Sequence, residues 1–277
     1  MSEPERVPFA SLADGAALIV ATPEPAEKAR LTALARNAWI GRRLSLVRPT
    51  LDRPMPDRPG RPERPQLLPP REMPRRALGS AAGRLAFIHA IAHIELNAMD
   101  LAWDIVGRFA EHTMPRSFYD QWVTVAFEEA THFGLLAARM ADMGATYGDC
   151  PAHDGLWQAA EATGEDLAAR LAVVPLVLEA RGLDVTPSMI ETFTAAGDEA
   201  TAAVLKRIYE DEKGHVYVGA SWFRYLCDQR GEAAEPAFHR LVRQHFRGAL
   251  KPPFNDRARS AACLTPGFYR PLEVIRT

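Results

Sequence analysis

Two Glu-x-x-His steps, Glu129-x-x-His132 and Glu212-x-x-His215, are the residues of this chain whose types and spacing could do chemistry. Three positions apart on a helix, a glutamate and a histidine lie about 60° from each other around the axis and can hold one cation together. Each step has a glutamate upstream at nearly equal distance: Glu95 lies 34 residues before Glu129, and Glu179 lies 33 before Glu212. Four helices supplying Glu, Glu-x-x-His, Glu and Glu-x-x-His would furnish a two-metal carboxylate site. Four carboxylates cancel the charge of two divalent ions, which removes the penalty of burying bare anions on apolar seams. Mixed carboxylate and imidazole donors suit iron or manganese rather than a thiolate-bound zinc. The expected metal ligands are therefore Glu95, Glu129, His132, Glu179, Glu212 and His215. Glu129 and Glu212 are the expected bridging and catalytic carboxylates, and two iron ions are the expected cofactor, with manganese the alternative.

The competing readings are few. With 20 Glu and 8 His in the chain, somewhat less than one Glu-x-x-His arises by chance, so the weight rests on the repeat and its apolar setting. Glu128 is four residues from His132 and competes with Glu129; the symmetry with Glu212-x-x-His215 selects Glu129. His89 and His93 are also four apart, but they lie on the face away from Glu95 and suit a structural role. Tyr209, one turn before Glu212, could donate a hydrogen bond to the site or be a half-buried core residue. Asp198 fits a helix cap, and Trp103, Trp122 and Trp222 fit the core. No Ser-His-Asp order, Gly-rich phosphate loop or zinc-protease motif is present.

The elements that must position these ligands are helices. Ile88, Ile91, Glu95, Ala98, Ala102, Ile105 and Phe109 recur at steps of three and four, as do Trp122, Val125, Glu129, His132 and Leu136. A third helix is expected from about 164 to 181, kinked by Pro175 and stopped at Gly182 with Pro187 beyond. The fourth, about 198–229, carries Leu205, Ile208, Glu212, His215, Gly219, Trp222 and Leu226. Residues 145–163 cross over, with a short helix around Trp157. A leading helix is expected at 26–47 and a last amphipathic one near 234–247, before an irregular tail. Nine prolines between Pro49 and Pro74 exclude regular structure there. That arm, with ten arginines against four acidic residues between Arg42 and Arg76, reads as a strap over the bundle or as a phosphate-contacting arm. The expected fold is all-α: a ferritin-like four-helix bundle with an N-terminal helix and Arg/Pro-rich arm (1–78), the bundle and an extra helix (79–250), and a C-terminal tail packing on it (251–277).

Composition excludes several function classes. A formal charge of −2 and 47% hydrophobic residues make no global case for nucleic acid or membrane. No run of about 18 apolar residues suggests a span, and the acidic start lacks a secretory pattern. Cys150, Cys227 and Cys263 are too few and too far apart for a disulfide framework. A cytoplasmic protein is expected.

Five segments resemble a known family: HIELNAMDLAWD (93–104), FEEATHF (127–133), VPLVLEARGLDVTP (174–187), YEDEKGHVYVG (209–219) and PPFNDRARSAACLTPGFYRPL (252–272). They are similar to the bacterial ferritin-like family known as domain of unknown function 455, over about residues 79–272. The resemblance implies a four-helix ferritin-like fold and the same six metal ligands, and says little about the reaction. A di-iron oxidase or hydroxylase acting with O2 on a small organic substrate is the leading expectation. A tRNA-modifying di-iron hydroxylase is one alternative, with tRNA as partner. Iron storage fits poorly with the long flanks, and peroxide reduction of the rubrerythrin kind would want a Cys-x-x-Cys domain that is absent. A homodimer stays open.

Overall fold

The computed structural model describes residues 7–74 and 78–273. Every regular element among them is helical. The chain divides into two compact units at 157/158, a division inside the 79–250 stretch that the sequence groups as one bundle.

The first unit is built on two long helices, α3 (Ala81–Arg108) and α4 (Arg116–Asp142). The short 109–115 connection makes them antiparallel neighbours. Ser80 caps α3 by accepting from the Gly83 N–H, and Pro115 precedes the first turn of α4. Their seams meet through Ile88, Leu96, Trp103, Trp122 and Leu136, all buried. α3 is long and apolar enough to cross a bilayer, but 67% of its most apolar window is buried inside the chain, as expected of a core helix carrying Glu95, Asp100 and Asp104.

Two shorter helices flank the pair. α2 (Pro25–Ile40) packs on α4, and α1 (Leu12–Ala21) packs on α3. The expected helix at 26–47 is therefore too long by about two turns. Arg42 adopts a left-handed conformation, φ 59°, and the carbonyls of Ser45 and Leu46 accept from the N–H groups of Leu12 and Ala13 at 2.9 Å. Residues beyond Ile40 thus cap α1 instead of extending α2. α1 itself escapes a periodicity reading because LADGAALIVA is buried nearly all round and shows no polar face.

The Arg/Pro arm is a strap on this unit. Gly60 donates to the Val20 carbonyl at 2.8 Å; a side chain at Gly60 would overlap the Ala21 carbonyl, so only glycine allows the approach. The Trp157 indole donates to the Asp57 carbonyl at 3.0 Å, and Arg108 donates to the Pro56 carbonyl at 2.9 Å. Arg53 donates to Asp14 at 2.7 Å, Arg58 pairs with Asp154, and Arg61 holds Asp100 at 2.9 Å. Arg75 and Arg76 lie outside the described residues. α5 (Gly155–Glu161) supplies the short helix expected around Trp157.

The second unit centres on α6 (Leu167–Val173), one π-type turn (Val174–Glu179), α7 (Ala180–Ala195) and α8 (Glu199–Arg230). Asp198 is the expected cap: its carboxylate accepts from the Thr201 N–H at 3.0 Å. The expected stop at Gly182 is wrong, since α7 runs through Gly182 and contains Pro187. A proline at 187 cannot bond the Leu183 carbonyl four residues back. The Asn255 side chain donates to that carbonyl at 3.1 Å instead, so the helix continues with its acceptor satisfied. The kink expected at Pro175 takes the form of the π-type turn. Gly219 of α8 makes room for it, because a Cβ there would collide with the Pro175 ring. α9 (Ala234–His245), α10 (Asp256–Ala261) and α11 (Pro266–Tyr269) pack against these helices through Phe223, Phe238 and Phe268.

Candidate metal centre

In the first unit α3 brings Glu95 and α4 brings Glu129 and His132 to one buried point. Glu95 is 4% exposed, and Glu129 and His132 are 0%. The His132 Nδ1 stands 3.1 Å from Glu95 Oε2 and 3.4 Å from Glu129 Oε2. Each of the three offers a ligand atom within 4.8 Å of the others. Glu128, the competitor, is half-buried on the flank of α4, so the helix phase itself selects Glu129.

These groups control one another's protonation. Burial alone would lower the His132 pKa, but hydrogen bonds and charge from Glu129 and Glu95 override it and raise it to about 11. Two carboxylates buried against one imidazole form a site with a deficit of positive charge. A divalent cation would satisfy it better than a single proton does.

The second unit carries the other three expected ligands. α8 carries Glu212 and His215, 8% and 0% exposed, with His215 Nδ1 3.4 Å from Glu212 Oε1. Glu179 ends the π-type turn on the neighbouring helix and is half-buried. All six expected ligands thus lie on the expected helices. Carboxylate and imidazole donors of this kind could hold a divalent metal ion.

Other functional readings resolve as well. His93 Nδ1 shares a 2.7 Å hydrogen bond with the Tyr147 hydroxyl, and its Nε2 lies 3.2 Å from the His153 carbonyl. His89 accepts from the Gly148 N–H at 2.9 Å and stacks on Tyr147. Both histidines serve packing, as expected. The Tyr209 hydroxyl accepts from Asn255 at 3.1 Å.

Sequence reasoning missed a second polar stripe on α3, formed by His93, Asn97, Asp100 and Asp104 at steps of four, three and four. All four are buried. Asp100 is held by Lys28, 0% exposed, and by Arg61 of the strap. Desolvation pushes the Asp100 pKa up and the Lys28 pKa down, and their mutual attraction opposes both shifts. The spacing was visible, but its partners come from α2 and the strap, distant in sequence. Also missed was the Asp184–Arg259 pair, bidentate at 2.8 and 2.7 Å with both side chains buried. It ties the 174–187 segment to the PFN…AR tail.

The chain is 40% identical over 209 residues to an uncharacterized protein of Haemophilus influenzae, covering 74% of this chain and 73% of that relative. No solved structure matches it. The sequence model of the family described as "Protein of unknown function (DUF455)" matches residues 21–270. That span takes in α2 and the strap as well as the ligand helices, a wider match than the segments from 79 onward suggest. With the family's pattern running from α2 to the C-terminal helices, the chain belongs to the DUF455 family.

Proposed function

We propose that this protein is a two-metal carboxylate oxidoreductase, with iron as the metal, that uses O2 to oxidise a small organic substrate. The observation that carries the reading is the buried Glu95–Glu129–His132 triad, repeated in kind by Glu179, Glu212 and His215. Glu95, Glu129 and His132 would hold one ion, and Glu179, Glu212 and His215 a second. Ferrous ions bound there would supply the electrons that reduce O2.

The chain's own groups have three tasks in this reading. The carboxylates of Glu129 and Glu212 neutralise the metal charge on seams that exclude water. His132 gives up its proton to become a neutral ligand, so metal uptake and proton release are linked. Trp122, Val125 and Leu136, buried on the helix that carries Glu129 and His132, would help keep water from the first triad. The arginines of the strap that meet Asp14, Asp154 and Asp100 are engaged within the chain, which favours a small substrate over a tRNA partner.

The test is metal analysis of the purified protein with an O2-consumption assay. About two iron or manganese ions per chain are expected. Glu129→Ala and Glu212→Ala should each abolish retention of at least one ion. Wild-type iron content in both variants would overturn the reading.

A further inference from the structure

The segment 251–259 makes a set of contacts with the second unit that its length does not require. Arg181 of α7 donates to the carbonyls of Lys251 and Pro253 at 2.8 and 3.0 Å. Asn255 donates to the Leu183 carbonyl and to the Tyr209 hydroxyl, both at 3.1 Å, and its own N–H donates to Asp184 at 2.9 Å. Arg259 grips Asp184 with two further bonds, 2.8 and 2.7 Å, and lies across the rings of Phe254 and Tyr269. One short stretch therefore fastens α7 at three positions, Arg181, Leu183 and Asp184, and α8 at one, Tyr209.

Those positions neighbour Glu179 and Glu212 along their helices. Leu183 and Asp184 lie just over one turn beyond Glu179, and Tyr209 lies one turn before Glu212. The helix that carries Glu179 is also poorly held by its own backbone. Pro175 and Pro187 each remove an internal hydrogen bond, and the π-type turn between Val174 and Glu179 changes the helical phase. Asn255 at the carbonyl that Pro187 leaves open and Arg259 at Asp184 add constraints on this helix from outside it.

We propose that Asn255 and Arg259 are positioning residues of the metal site: the tail clasps α7 against α8 in the register at which Glu179 can share a cation with Glu212 and His215. This rests on the reading of those three residues as ligands. A tail that only stabilises the fold would lower the melting temperature but leave the metal affinity of the folded protein unchanged.

The experiment titrates cobalt(II) alone into the purified full-length chain, reading the dissociation constant and the visible absorption that reports coordination. It is done far below the melting temperature of every variant, with circular dichroism to confirm helix content. Arg259→Gln and Asn255→Ala should weaken cobalt binding about tenfold or more and alter the spectrum. Val242→Ala, a buried truncation in α9 outside the clasp, should lower the melting temperature with an unchanged constant. If Arg259→Gln fails to fold, Tyr209→Phe, which loses only the hydroxyl that Asn255 meets, reads the same coupling more gently. Unchanged binding in the folded clasp variants would overturn the clasp. Equal binding in wild type and Glu212→Gln would instead overturn the ligand assignment on which it rests.

Discussion

At the scale of single residues, burial rather than type separates working groups from their neighbours. Glu128 and Glu129 are adjacent and chemically identical, yet one sits on the flank of α4 and the other at the centre of the seam. Glu128→Ala should therefore leave bound metal unchanged where Glu129→Ala removes it, a comparison made by elemental analysis of the two proteins side by side. His93 shows the opposite logic to His132. Burial, then the nearby Arg61 charge, lowers its pKa to about 3, so it stays neutral in the fold. In the unfolded chain it binds a proton near its ordinary value, and the folded state then loses stability as pH falls from about 6.5 toward 3. The loss reaches up to about 1.4 kcal/mol per pH unit. Urea unfolding of His93→Gln across that range should show a flatter pH dependence than wild type; parallel curves would refute the assignment.

At the scale of elements, α7 and α8 are fitted to each other by residues that each break a local rule. Pro175 and Pro187 are poor helix residues, and Gly219 is a weak one, yet the Pro175 ring occupies the space that Gly219 leaves. Gly219→Ala should be destabilising by about 1–3 kcal/mol despite its better helix propensity, because the new Cβ meets the Pro175 ring. Chemical denaturation measures it, and a gain in stability would show that the two helices part easily. Likewise Asp184 is buried with Arg259, and Arg259→Leu would leave the carboxylate with only the more exposed Arg181 as counter-charge and the Asn255 N–H as donor. A loss of about 3–5 kcal/mol is expected, partly recovered when Asp184→Asn is added. No recovery in the double variant would mean that the ring contacts of Arg259, not its charge, matter most.

At the scale of the whole molecule, three of the proposed ligands belong to one compact unit and three to the other. If they bind metal, binding acts on folding by mass action, because the unfolded chain does not hold these groups together. Free metal at a hundredfold excess over its dissociation constant should add about 2.7 kcal/mol of stability. Thermal melts with and without a chelator read this directly. An unchanged midpoint would show that neither triad binds the ion in the native state.

The sequence by itself determined the helices that carry the proposed ligands, the buried position of Glu129 and the cap at Asp198. Each of these is set within a few turns of chain, by 3.6-residue periodicity and side-chain type. It also determined the breaks around Pro175 and in the Pro-rich strap, since proline acts on its own neighbourhood. Tertiary structure alone decided that α7 passes through Gly182 and Pro187, because the acceptor left open at Leu183 is met by Asn255, some seventy residues away. It alone paired Asp100 with Lys28 and Arg61, and Asp184 with Arg259. A buried charge is tolerated only where an opposite charge arrives in space, and no local spacing announces which distant residue that will be.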